Sequence, residues 1–131
     1  MVLEKYSKQD WLLIKETLPR IQFINLIRHS RALVGNSSMG ILESPHYKLP
    51  VVNIGNRQKG RLNAGNLEFV SYNKDEIIKA VEKATLDYNY RQMISKLKNP
   101  FGDSSAPKKV VEAIESVDLS DRKWYVKQKL C

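Results

Sequence analysis

Ala32-Leu33-Val34-Gly35-Asn36-Ser37-Ser38-Met39-Gly40-Ile41 is the stretch that decides how this chain is read. Its first three residues are an apolar run of strand type, and a glycine ends it. Asn36, Ser37 and Ser38 are residue types that favour a helix N-cap, so a helix is expected to start there and run to about His46. A strand that turns directly into a helix is the building unit of a parallel α/β sheet. In such a sheet the helix N-terminus stands at the carboxyl edge of the strands, where ligands bind. Free backbone N–H groups there favour an anion, and two serine hydroxyls add hydrogen bonds to phosphate oxygens. Gly40 is expected to let a ligand approach the backbone. Helix capping by Ser37 or Ser38 alone would account for the same residues.

The flanks continue the alternation. Upstream, Trp11-Leu12-Leu13-Ile14 is a short apolar run expected to be a buried strand. After Pro19, a helical pattern runs over residues 21–30, with Phe23, Ile24 and Ile27 on one face. Downstream, Pro50-Val51-Val52-Asn53-Ile54 reads as a strand ended by Gly55, and Leu67-Glu68-Phe69-Val70 as a shorter one. Asn73 followed by Glu76 has the form of a capping box, opening a helix whose apolar face is Ile77, Ile78, Val81 and Ala84. Further helices are expected over residues 88–98 and after Ser105, with Val110, Val111, Ile114 and Val117 as the buried face of the latter. The tail over residues 118–131 is weakly patterned. The expected fold class is α/β: a parallel sheet of about four strands flanked by helices in an α/β/α arrangement. Residues 1–131 read as a single α/β domain.

Composition narrows the function. The chain has 131 residues, 42% hydrophobic and 27% charged, which is globular rather than disordered. No apolar window is long enough to span a membrane, and the first residues lack a signal-peptide core. The single Cys131 allows no internal disulfide, so a cytoplasmic protein is expected. The net charge of +8 suits an anionic partner, and its one compact excess is Arg57, Lys59 and Arg61 in the loop after the Val51 strand. That loop should leave the sheet at the same edge as the Ser37-Ser38 turn, and arginine's planar fork of donors recognises phosphate. A nucleic-acid partner is not expected, because recognition-helix, zinc and aromatic RNA-binding patterns are missing.

Other chemistry is poorly supported. A nucleophile elbow needs glycine on both sides of its serine, two residues away, and Ser37 and Ser38 each have only one such flank. His29 and His46 with a terminal cysteine do not form a metal-ligand pattern, so no metal is expected. Glu43 is the only acid in residues 32–54. Its carboxylate suits the vicinal diol of a ribose, or it is simply a solvated helix residue.

Taken together, Leu18-Pro19-Arg20, then Phe23, then the string from Leu33 through Glu43-Ser44-Pro45, resemble the hydrolysing UDP-N-acetylglucosamine 2-epimerases. Pro50-Val51-Val52-Asn53-Ile54-Gly55-Asn56-Arg57-Gln58-Lys59-Gly60-Arg61 and the later turn Asn99-Pro100-Phe101-Gly102-Asp103 extend the resemblance. Met39 and Ser104 depart from the pattern. The resemblance implies part of the C-terminal Rossmann-like domain of a glycosyltransferase-B-type fold, without the N-terminal domain. It implies that Ser37 and Ser38 hold the diphosphate, Glu43 the ribose, and Arg57 a further part of UDP. It places the backbone of Leu18 near the uracil. The implied reaction eliminates UDP from a UDP-sugar and hydrates the product to release N-acetylmannosamine or a related sugar. The resemblance implies no cofactor and puts the catalytic acid and base ahead of the stretch present here, so by itself this chain is expected to be inactive. The alternative is a non-catalytic UDP- or phosphate-binding module. Strands expected between the first and second runs have no counterpart, so an exposed sheet edge is expected to pair, either with the displaced first strand or in a homo-oligomer.

Overall fold

The computed structural model describes residues 2–118 and 120–121. Two compact units divide the chain, Met1–Lys98 and Asn99–Cys131.

The first unit is built on a three-stranded parallel sheet, β1 (Leu33–Gly35), β2 (Val51–Ile54) and β3 (Leu67–Val70), in that spatial order. Leu33 pairs with Val51 and Val51 with Leu67, so all three strands start level and end at one carboxyl edge. Helices α1 (Val2–Tyr6) and α2 (Arg20–His29) precede the sheet. A single turn, α3 (Met39–Leu42), and a 3-10 turn over Ser44–Tyr47 link β1 to β2. Helices α4 (Lys74–Leu86) and α5 (Tyr88–Ser95) follow β3.

β2 is central, and helices cover both its faces. Val52 packs with Ala80 and Ala84 of α4, and Ala32, Val70, Val81 and Tyr90 close around them. Val51 points the other way, toward α3. A Cβ built on Gly40 would lie 3.0 Å from Val51 Cγ1 and 3.5 Å from Leu33 Cδ2. Gly40 is buried. Its missing side chain therefore serves close packing of α3 on the sheet, not the approach of a ligand, as expected from sequence. Both sides of β2 being apolar follows from this sandwiching, as in parallel sheets generally.

Several local expectations are revised. The apolar run Trp11-Leu12-Leu13-Ile14 forms no strand; Trp11 and Leu13 are 72% and 75% exposed. The expected four strands are thus three, and the free side of β1 has no partner strand among the described residues. The helix from Ser38 to His46 is broken in two. Pro45 has no N–H to continue an α-helical ladder, and the chain tightens into the 3-10 turn with Pro45 in its first positions. Asn73 caps α4 by accepting from the amides of Asp75 and Glu76 at 2.9 and 3.2 Å. Glu76 does not complete the box. Its Oε2 accepts instead from the amide and hydroxyl of Ser71, at 3.0 and 2.6 Å. The helix expected over residues 88–98 stops at Ser95.

In the second unit, α6 (Ala106–Glu115) carries Pro107 in its first turn, where proline's missing N–H costs nothing. Ser105 precedes it without a side-chain cap, because its hydroxyl and amide both donate to Asp103 Oδ1. Those bonds hold the Asp103 carboxyl below the usual carboxylate range. Val110, Val111 and Ile114 are more than half exposed and Val117 is half-buried, so most of the face expected to be buried is open among the described residues. The tail over residues 122–131 lies outside the described residues.

Candidate functional site

Two loops leave the carboxyl edge of the sheet side by side. The first follows β1 and carries Asn36, Ser37 and Ser38. Ser37 Oγ accepts from the Met39 amide at 3.3 Å, and Ser37 O and Ser38 O accept the first bonds of α3. Among the described residues, the Ser38 hydroxyl has no partner, and the amides of Ser37 and Ser38 donate to no protein group. These are the orphan donors of a helix start, exposed and open to an anion. Because α3 is one turn long, its dipole is small. The attraction must come from individual N–H and O–H groups and from neighbouring cations.

The second loop follows β2 and carries Arg57, Lys59 and Arg61. What holds it against the first is Gln58, only 2% exposed. Its Nε2 donates to Asn36 O at 3.0 Å, and its Oε1 accepts from Arg61 Nη1 at 2.8 Å. A buried amide must satisfy both its ends or lose about 1–3 kcal/mol. Gln58 does so by joining the serine loop to the basic loop. At the base, Asn53, also buried, donates to Gly55 O at 3.1 Å, and Gly55 turns the chain with φ +82°. Arg57 stays exposed, with no hydrogen-bond or ion-pair partner among the described residues. The signal for Gln58 was its place between cations, but only the fold gives its partner, 22 residues away.

Glu43 terminates α3, and its Oε2 accepts from Arg20 Nη2 at 2.9 Å. That pair is solvent-exposed and worth little in stability, but it links the start of α2 to the end of α3. One carboxylate oxygen of Glu43 is thereby engaged. Leu18, two residues before Arg20, is half-buried. It lines an open hollow of about 730 Å³ with Leu13, Phe23 and Leu26. That hollow is lined by none of Ser37, Ser38, Glu43 or Arg57. The structure therefore brings Ser37 and Ser38 into one loop, ties Arg57's loop to it, and joins Glu43 to the segment that carries Leu18. Among the described residues there is no group of three or more His, Cys, Asp or Glu side chains able to hold a metal ion, and no helix long and apolar enough to cross a membrane.

With this geometry in place, comparison with known proteins identifies the lineage. The family described as UDP-N-acetylglucosamine 2-epimerase matches residues 1–115. The chain belongs to the UDP-N-acetylglucosamine 2-epimerase family. It is similar to the hydrolyzing GDP/UDP-N,N'-diacetylbacillosamine 2-epimerase of Campylobacter jejuni, 40% identical over 68 residues, half of this chain and 18% of that protein. It is also similar to polysialic acid biosynthesis protein P7 of Escherichia coli, 30% identical over 103 residues, 79% of this chain and 26% of that protein. Among solved structures, S. aureus MnaA with UDP superposes with a TM-score of 0.70 over 87% of this chain and 31% of its own, at 24% identity, a likeness of fold. The chain thus spans less than a third of the length of each of these three proteins.

Proposed function

We propose that this chain is the nucleotide-holding part of a hydrolysing UDP-N-acetylglucosamine 2-epimerase and lies within its C-terminal, UDP-binding domain. Ser37 and Ser38 receive the diphosphate, Arg57 adds a charged hydrogen bond, Glu43 takes the ribose through its free carboxylate oxygen, and the Leu18 backbone lies near the uracil. The observation that supports this reading is the Gln58 bond to Asn36, which ties the loop that carries Arg57 to the loop that carries Ser37 and Ser38 at one sheet edge. The likeness of fold to a protein solved with UDP supports it.

The chemistry asks for such a site. In the proposed reaction the C1–O bond to UDP breaks, taking its electron pair to the diphosphate, while a proton leaves C2, giving a glycal. Water then adds to that glycal and the free sugar is released. A sugar C2–H is weakly acidic, so stabilising the departing diphosphate lowers the barrier as well as binding substrate. The acid and base that move the C2 proton are not assigned to any residue of this chain, and the chain alone is expected to bind UDP without turning over UDP-N-acetylglucosamine. We propose further that the free edge of β1 pairs with a second copy of the chain, that the protein is cytoplasmic, and that it takes up neither nucleic acid nor membrane.

Calorimetric titration with UDP tests the reading. Arg57→Ala should cost about 1.5–3 kcal/mol of UDP affinity, the scale of a charged hydrogen bond. Ser38→Ala should cost about 0.5–1.5 kcal/mol. A mixed oligonucleotide should produce no comparable heat. UDP affinity indifferent to both substitutions would remove these residues from the site.

A further inference from the structure

Next to Glu43 in the chain, at the junction of α3 with the 3-10 turn, lies a buried polar cluster that the nucleotide contacts do not use. Ser44 is 0% exposed, and Asn66, the residue before β3, is 1% exposed. The Ser44 hydroxyl donates to Gly40 O, one turn back in the chain, and accepts from Asn66 Nδ2 at 2.7 Å. Asn66 Nδ2 also donates to Leu49 O at 2.8 Å. The backbone of Asn66 is fixed in turn, because its O accepts from the Val51 amide of β2 at 2.9 Å. A side chain rooted in the sheet thus grips the junction between the two helical turns.

We propose that Ser44 and Asn66 are positioning residues for Glu43: they fix the backbone at this junction, so that the Glu43 carboxylate is aimed at the ribose before the nucleotide arrives. The proposal rests on the reading of Glu43 as the ribose ligand. Three observations favour it. First, α3 is a single turn, too short to hold its own shape, so the direction in which it ends depends on bonds from outside it. Second, Glu43 belongs to both turns. Its amide donates to Met39 O at 3.0 Å and its carbonyl accepts from the His46 amide at 3.1 Å, while the next side chain, Ser44, ties the pair of turns to the sheet through Asn66. With Arg20 holding Oε2 at the outer end, a fixed backbone leaves the carboxylate little freedom, and a ligand group that is set in advance costs less to order on binding. Third, the pair is poorly suited to stability alone. Asn66 Oδ1 is buried with no hydrogen-bond partner among the described residues, a cost that apolar side chains filling the same space would avoid. What the polar pair adds is direction, since hydrogen bonds fix an angle that apolar packing leaves looser.

The test compares UDP with 2′-deoxy-UDP, which lacks one hydroxyl of the diol, by calorimetry on this chain. The wild-type chain should bind UDP about tenfold more tightly, the worth of one charged hydrogen bond, and Glu43→Ala should abolish that preference. Ser44→Ala and Asn66→Ala should each reduce it to about threefold or less by weakening UDP, with the affinity for 2′-deoxy-UDP kept within about twofold. Retained 2′-deoxy-UDP binding reports that the variant is folded. Should either variant show no folded signal in circular dichroism, Ser44→Cys, which keeps the size of the side chain and weakens only its hydrogen bonds, carries the same comparison. A preference lost in Glu43→Ala but kept in Ser44→Ala or Asn66→Ala would overturn the positioning role and leave Glu43 on the ribose. Equal weakening of both nucleotides would overturn it too, because that is what a purely structural role produces. A wild-type chain that binds both nucleotides equally, or a Glu43→Ala variant that still prefers UDP, would remove Glu43 from the ribose and the proposal with it.

Discussion

Trp11-Leu12-Leu13-Ile14 and Val51-Val52-Asn53-Ile54 are apolar runs of equal length in the same unit, yet only the second is a strand. Val51 and Val52 are 2% and 0% exposed, against 72% and 75% for Trp11 and Leu13. The second run has a parallel neighbour on each side and helices over both faces, whereas the first has neither. A strand is a cooperative object. Its backbone groups need partners, and its side chains need cover, before an apolar run gains from being extended.

Substituting the same charge into each run gives the strongest way to break this contrast. Val52→Asp would bury a carboxylate between β2 and α4 with nothing to pair it, and should cost on the order of 3–5 kcal/mol. Urea denaturation would show a collapsed midpoint or no folded baseline.

The loop after β2 sharpens the comparison, because burial there falls on a polar residue. Gln58→Ala should lose about 1–3 kcal/mol, since two part-buried hydrogen bonds, to the Asn36 carbonyl and from Arg61, are lost together. Arg57→Ala, its exposed neighbour, should leave the denaturation midpoint within about 0.5 kcal/mol while still weakening UDP. Neighbouring residues would then separate stability from binding.

Smaller effects are expected where local chemistry alone acts. Asn73→Ala should cost about 1 kcal/mol through loss of the α4 cap. The bonds from Ser71 hold the Glu76 carboxyl below its ordinary value. Its contribution is therefore present above the unfolded-state value and lost as pH falls through the folded one. The acid side of a stability profile should shift slightly in Glu76→Gln, which removes that dependence. Smallest of all, Leu13→Asp should change stability by less than about 0.5 kcal/mol. A loss approaching that of Val52→Asp would mean that residues 11–14 are covered in solution.

The sequence alone determined what short-range chemistry controls. The β2 and β3 positions, the Asn73 cap, Pro107 in the first turn of α6 and the breaks at Gly35 and Gly55 all follow from residues a few positions apart, whose backbone preferences act on their own segment. The placement of Ser37, Ser38 and Arg57 on loops at one edge was also legible, because parallel strands send their following loops the same way. Only the tertiary structure decided the fate of residues 11–14, the packing duty of Gly40, the Gln58 bond to Asn36 and the Arg20 pair with Glu43. Those last two join residues 22 and 23 positions apart, and Gly40 meets Val51 from another element. Such contacts depend on which surfaces the folded chain brings within a few ångströms, and no local preference carries that information.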